Sequence, residues 1–288
     1  MDVLVKINNK NNVEYYSNYA DGFILGLKAF SVDYYEFDLS EIKDIISCYV
    51  DKSFFVAINK NIFNNELDKL ESVLIELDKI NIKGILFYDM SILYLKNKNK
   101  LNIDLVWNQT HMVTNYNTCN YYYSKGVNYA FVSGEITLEE IIELSRKTNS
   151  NLMVQVVGHQ VMAHSRRKLL SNYYASKGER ALSLYNFIKE RDEEYIVKEN
   201  ASGATFKTGK ILNAIPYIEQ LRESNISYVV VDEDFIDKEI IKECLILISE
   251  INKEKNIKEN IDKGYKLIGE WNSFLFKKTI FKVKKGDK

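Results

Sequence analysis

The sequence predicts an α/β fold, a closed (β/α)8 barrel of the TIM type, and two observations carry that prediction. Eight short apolar runs alternate with helix-patterned stretches over about 250 residues, which is the size and rhythm of such a barrel. Each run is short and mostly apolar, as expected of parallel strands whose two faces are both covered by helices. A doubly wound open sheet is the alternative arrangement of the same elements.

Taken in order, the runs lie at 3–7, 22–26, 54–58, 84–88, 103–107, 129–132, 152–157 and 228–231. Between them, 39–50 follows an Asp38 or Ser40 cap. Stretch 64–80 places Leu67, Leu70, Leu74 and Leu77 on one stripe at spacings of three and four. Stretch 137–147 opens with a capping box in which Thr137 is answered by Glu140. Stretches 210–223 and 237–252 complete the helices. Residues 175–209, between the seventh and eighth runs, are too long for one crossover and too apolar for disorder, so they read as an insertion ending in a small hairpin or flap. The tail, 261–288, reads as a C-terminal extension packing on a barrel of residues 1–260. Within it 279–283 has the pattern of an extra edge strand guarded by lysines.

Composition narrows the function classes. The 288 residues carry 39 Lys+Arg against 40 Asp+Glu, a net charge of −1, so no global basic field draws the chain to nucleic acid and any such contact needs a local patch. The three cysteines, Cys48, Cys119 and Cys244, are far apart and in no metal-ligand spacing, which fits a reducing compartment. The first residues lack the pattern of a signal peptide, and no apolar run approaches the ~20 residues of a membrane span. These features read as a cytoplasmic protein with no membrane partner, no metal and no cofactor.

Chemistry concentrates in 152–174, LMVQVVGHQVMAHSRRKLLSNYY. An apolar strand ends at Gly158 and is followed by His159, His164, Ser165 and the triplet Arg166-Arg167-Lys168. Loops at the carboxyl ends of the strands carry the functional groups in such barrels. Ser165 with His159 or His164 supplies the residue types of a nucleophile and base, with Asp89 or Glu135 available to orient them. The arginines offer planar donors for a small carboxylate or a phosphate. The plainer reading makes the triplet the first turn of a surface helix. The run Tyr121-Tyr122-Tyr123 reads as helix packing around Tyr121 and Tyr123 in preference to base stacking.

This stretch resembles the signature of the collagenase-like peptidases, family thirty-two among peptidases of unassigned mechanism, in which a strand leads to a His-Gly pair, a Cys, Ser-Gly-Arg-Cys and Leu-Leu-Ser. Further segments resemble the family in the same order: Ala20 to Gly26, Ala57-Ile58-Asn59, Tyr88-Asp89, Trp107 to Asn115, Val132 to Glu140, and Glu199 with Gly203 and Thr205. The departures are specific. The family's glutamate falls on Met153, its histidine on Val157, its cysteines on Val161 and Lys168, and the glycine of Ser-Gly-Arg on Arg166; of the His-Gly pair, Gly158 is kept. Members with a four-iron cluster hold it on four cysteines, and this chain has no such set.

The resemblance implies a function in two classes. The family name implies proteolysis, for which Ser165, His159 and His164 are the catalytic candidates. More generally the family implies hydroxylation of RNA or quinones by paired paralogues. A short, cysteine-poor member then resembles the smaller partner in hydroxylating the wobble uridine of tRNA, beside a longer cysteine-bearing paralogue. In that case Arg166, Arg167, Lys168, Gln109, His111, Asn115 and Glu135 are the candidate binding residues for tRNA or a small carboxylate. A third possibility is a non-catalytic scaffold whose barrel mouth is plugged by the insertion.

Overall fold

The computed structural model describes residues 1–180, 183–190 and 192–277. The strand predicted at 279–283 lies outside them. Eight parallel strands form the ring: β1 (Asp2–Lys6), β2 (Gly22–Leu27), β3 (Ser53–Ile58), β4 (Gly84–Phe87), β5 (Leu105–Trp107), β6 (Tyr129–Phe131), β7 (Asn151–Gly158) and β8 (Tyr228–Asp232). Each pairs with the next, and β8 pairs with β1 in register Leu4 to Val230, so the ring closes. Closure, not an open sheet, is the observed topology.

The period of two along each strand divides its residues between two cores. Leu4, Ile24, Phe55, Leu86, Val106, Met153 and Val230 point inward and fill the ring together with Tyr34, Tyr129 and Tyr228. Their neighbours, among them Val5, Phe23, Val56, Phe87, Trp107, Val154 and Val231, point outward under the helices. Burial on both faces is why these runs carry so few polar residues.

Local capping sets several helix starts. Asp38 and Glu41 form a reciprocal capping box at Leu39–Cys48, and Thr137 and Glu140 do the same at Leu138–Lys147. The helix predicted at 210–223 is mostly something else. Leu212–Asn213 pairs antiparallel with β7, a 3-10 turn Ile215–Tyr217 follows, and the α-helix is confined to Ile218–Glu223. Pro216 has no N–H to give, and the Asn213 side chain donates to the Gly264 and Gly269 carbonyls, so this segment is drawn toward the barrel wall. Helices Ser91–Asn99 and Ile257–Ile268 lie outside the stretches that the sequence marks as helical, the Tyr121–Tyr123 run does sit on a helix, Tyr116–Ser124, and helix Leu169–Ser176 begins directly after the basic triplet. The tyrosine run also packs differently from expectation. Tyr122 lies against Trp107 with ring centroids 4.2 Å apart, whereas Tyr121 and Tyr123 are 58% and 41% exposed. Helical spacing turns only the middle ring to the wall.

Between β7 and β8 the chain builds a separate antiparallel sheet of four strands, ordered Tyr185–Glu190, Glu193–Asn200, Gly203–Thr208 and Val161–Ser165. The insertion is therefore wider than 175–209. Its sheet begins at Val161, directly after the β7 turn, and encloses helix Leu169–Ser176.

Candidate functional site

The four-stranded sheet sits across the carboxyl-terminal mouth of the ring, and a group of buried charges joins the two. Lys6 ends β1 and Asp232 ends β8, both on the inward face. Asp33 comes from the loop after β2, where its φ of 63° is left-handed. The sheet contributes Lys198 and Lys207. Lys207 Nζ lies 3.0 Å from Asp232, 3.1 Å from Asp234 and 3.2 Å from Asp33, with its side chain fully buried. Lys6 pairs with Asp33 and, at 3.0 Å, with Asp232. Lys198 reaches Asp234 at 3.0 Å and the Asn8 side chain at 3.0 Å.

Three ammonium groups thus face three carboxylates, and the mouth is electrically balanced. Burial by itself raises the Asp33 pKa, but Lys207, Lys6 and Lys198 outweigh it and hold the carboxyl well below its ordinary range. Burial likewise lowers that of Lys207, and Asp232, Asp33 and Asp234 overcome it and raise the ammonium well above its ordinary value. A lysine so held is no base at neutral pH. The network works as a clasp between sheet and ring, with charges that are costly to separate once buried.

The sequence-predicted residues occupy the edges of this arrangement. His159 is buried just after β7, and its Nδ1 donates to the Thr208 carbonyl at 2.7 Å. Burial lowers its pKa. His164 hydrogen-bonds the Thr205 hydroxyl at 3.2 Å. It is opposite Thr205 in the sheet, on the face that carries Lys198 toward the mouth. Ser165, the next residue along the strand, projects to the other face, and its hydroxyl accepts from the Arg167 backbone at 3.3 Å. Neither imidazole hydrogen-bonds that hydroxyl among the described residues. Arg166 stacks its guanidinium 3.5 Å from the centroid of the Phe63 ring. Arg166, Arg167 and Lys168 are all exposed, and among the described residues none of them has an ion pair.

The remaining candidates are dispersed along the rim. His111 and Glu135 form an exposed pair at 3.0 Å. Gln109 has both ends of its amide engaged: it accepts from the Trp107 indole at 3.1 Å and donates to the Tyr88 carbonyl at 2.6 Å. Asn115 caps helix Tyr116–Ser124, accepting from the Thr118 backbone at 2.9 Å. Asp89 accepts from the Ile62 backbone at 3.0 Å.

Sequence reasoning missed the clasp. Its only local sign is that apolar strands end in charge, in Lys6 and in Asp232-Glu233-Asp234. The resembling residues, by contrast, find structural roles. Gly158 has φ +124°, and a β-carbon there would come within 2.7 Å of the Asp232 carbonyl oxygen. Glu199 is buried and accepts from the Leu170 and Ser171 backbones at 2.9 and 3.2 Å and from the Ser171 hydroxyl, so it caps helix Leu169–Ser176 from the neighbouring hairpin. Gly203 has φ +134° and lies so close under the Arg166 backbone that a β-carbon would meet the Ser165 carbonyl oxygen at 2.1 Å.

The tRNA hydroxylation protein P2 of Bacillus subtilis (strain 168) is 25% identical over 186 residues, covering 62% of this chain and 60% of that protein. The tRNA hydroxylation protein P of Haemophilus influenzae (strain ATCC 51907 / DSM 11121 / KW20 / Rd) is 24% identical over 188 residues, 65% of this chain and 40% of that protein. The chain thus matches less than two thirds of the length of these curated relatives. Among solved structures, a dihydrodipicolinate synthase aligns over 92% of this chain and 80% of its own at 11% identity, with a TM-score of 0.47. The profile of peptidase family U32 matches residues 9–261, a span that holds β2 to β8, Asp33, Lys198, Lys207, Asp232 and Asp234 of the clasp, and the insertion sheet, and the chain belongs to that family.

Proposed function

We propose that this protein is a subunit for tRNA hydroxylation that contributes RNA binding through Arg166, Arg167 and Lys168, beside a longer, cysteine-bearing paralogue. The observation that carries the reading is the exposure of these three cations, none of them in an ion pair among the described residues, in a chain whose total charge is close to balanced. Phosphate contacts of this kind give affinity without sequence selection. The names of the curated relatives supply the reaction class. The wobble uridine as the target nucleotide comes from the family resemblance.

The filled mouth favours a non-catalytic share in that system, with the chemistry residing in the partner. Proteolysis by Ser165 is the weaker reading, because nucleophilic hydrolysis needs a base in contact with the hydroxyl and both imidazoles are bonded elsewhere. Nucleoside mass spectrometry of tRNA from a deletion strain tests the proposal. Loss of the hydroxylated wobble uridine, restored by the unaltered gene and not by the triple variant R166A/R167A/K168A, is expected. In binding assays the triple variant should flatten the salt dependence of log K by about 2 to 3. Retention of the modified uridine in the deletion strain overturns the proposal.

A further inference from the structure

Phe63 is 51% exposed, a large aromatic ring in the loop after β3 on the carboxyl-terminal rim. Its position is set by the protein. Its backbone N–H donates to Glu66 at 3.0 Å, Glu66 is paired with Lys60 at 2.5 Å, and the preceding Ile62 N–H is held by Asp89. Arg166 comes from the other side of the mouth, at the end of strand Val161–Ser165, and lays its guanidinium on one face of that ring. The Arg166 backbone is seated in turn by the close approach of Gly203. Two planar groups from separate elements, each anchored behind, are thus stacked at the rim with no carboxylate within ion-pair distance of Arg166 among the described residues.

We propose that the Phe63–Arg166 stack is a docking platform for one unpaired nucleobase of the bound RNA, which continues the stack. This rests on the tRNA-binding reading above and adds to it a contact with a base, one that any of the four bases can make. Every base presents a π-face to an aromatic ring or a guanidinium plane, and single-stranded loops are where RNA offers unstacked bases. The phosphates flanking that base would lie toward Arg167 and Lys168, the next two residues of the chain.

The test uses the full chain with tRNA, comparing the unaltered protein with F63A, F63L, F63W and R166K. F63A and F63L should each lose roughly tenfold in affinity with the salt slope unchanged, because a stack is removed and no phosphate contact is. R166K should behave like them, since lysine keeps the charge and lacks the plane. F63W should retain binding, and its additional indole emission, taken against the unaltered protein, should be quenched by RNA. Equal affinity of F63A and the unaltered protein, or F63W emission unmoved at saturating RNA, overturns the platform. The failure of the underlying reading has a different signature: the R166A/R167A/K168A variant binds as well as the unaltered protein. Absence of tRNA binding by the unaltered protein overturns both.

Discussion

Lys207 shows how far one side chain can depart from its ordinary surroundings. An ammonium without solvent is tolerated only because Asp33, Asp232 and Asp234 lie 3.0 to 3.2 Å away. Lys207→Met keeps the length and removes the charge, leaving carboxylates buried with fewer partners. We expect a loss of roughly 3–5 kcal/mol in unfolding free energy, measured by urea titration. His159 gives a pH signature. Its folded pKa lies below the unfolded value of 6.5, so the unfolded chain takes up the proton first. The stability this contributes is complete above that unfolded value and falls as pH drops from it toward the folded one. Between pH 8 and pH 5.5, the unaltered protein should therefore lose stability relative to His159→Gln, at up to about 1.4 kcal/mol per pH unit where the protonation difference is complete. Parallel pH profiles of the two proteins would refute this. The residue-scale features legible in sequence were those with a local cause, such as the Thr137–Glu140 box. The Lys207 partners were not legible, since Asp232 stands 25 residues away and Lys6 meets Asp232 across 226.

The insertion sheet is an element that presents rather than reacts. Its inner face carries Lys198 and His164 toward the mouth, and its outer face packs Val197 and Ala204 against Leu170. Glu199 joins helix Leu169–Ser176 to the hairpin, so the helix that follows the basic triplet depends on it. Glu199→Gln keeps one acceptor and loses the charge at the helix start. It should cost about 1–2 kcal/mol, and hydrogen exchange should quicken in 169–176 before it does so in the ring. Uniform quickening throughout the molecule would show that the sheet and ring open together. A small hairpin or flap at the end of the insertion was visible in sequence from its length and apolar content, and it is the pair Glu193–Asn200 and Gly203–Thr208. The fourth strand, Val161–Ser165, was not. Met162, Ala163 and His164 have no alternation that marks a strand, and only pairing with Gly203–Thr208 makes them one.

At the scale of the whole molecule, the ring distributes the cysteines so that they cannot act together. Cys119 and Cys244 are buried on helices on separate sides of the wall, and burial pushes their thiols up to about 11 and about 12. Thiolate is the form that binds iron. Anaerobically purified protein should therefore show no absorption near 400 nm, and a band there that is lost on chelation would contradict this arrangement. The eight strands and the barrel class were determined by the sequence alone, because short runs buried on both faces must be apolar wherever they stand in space. The charged mouth was decided by tertiary structure. Lysines and aspartates have the same composition on a solvated surface as in a buried clasp, and only ring closure with a sheet laid over it determines which of them lose water and must pair.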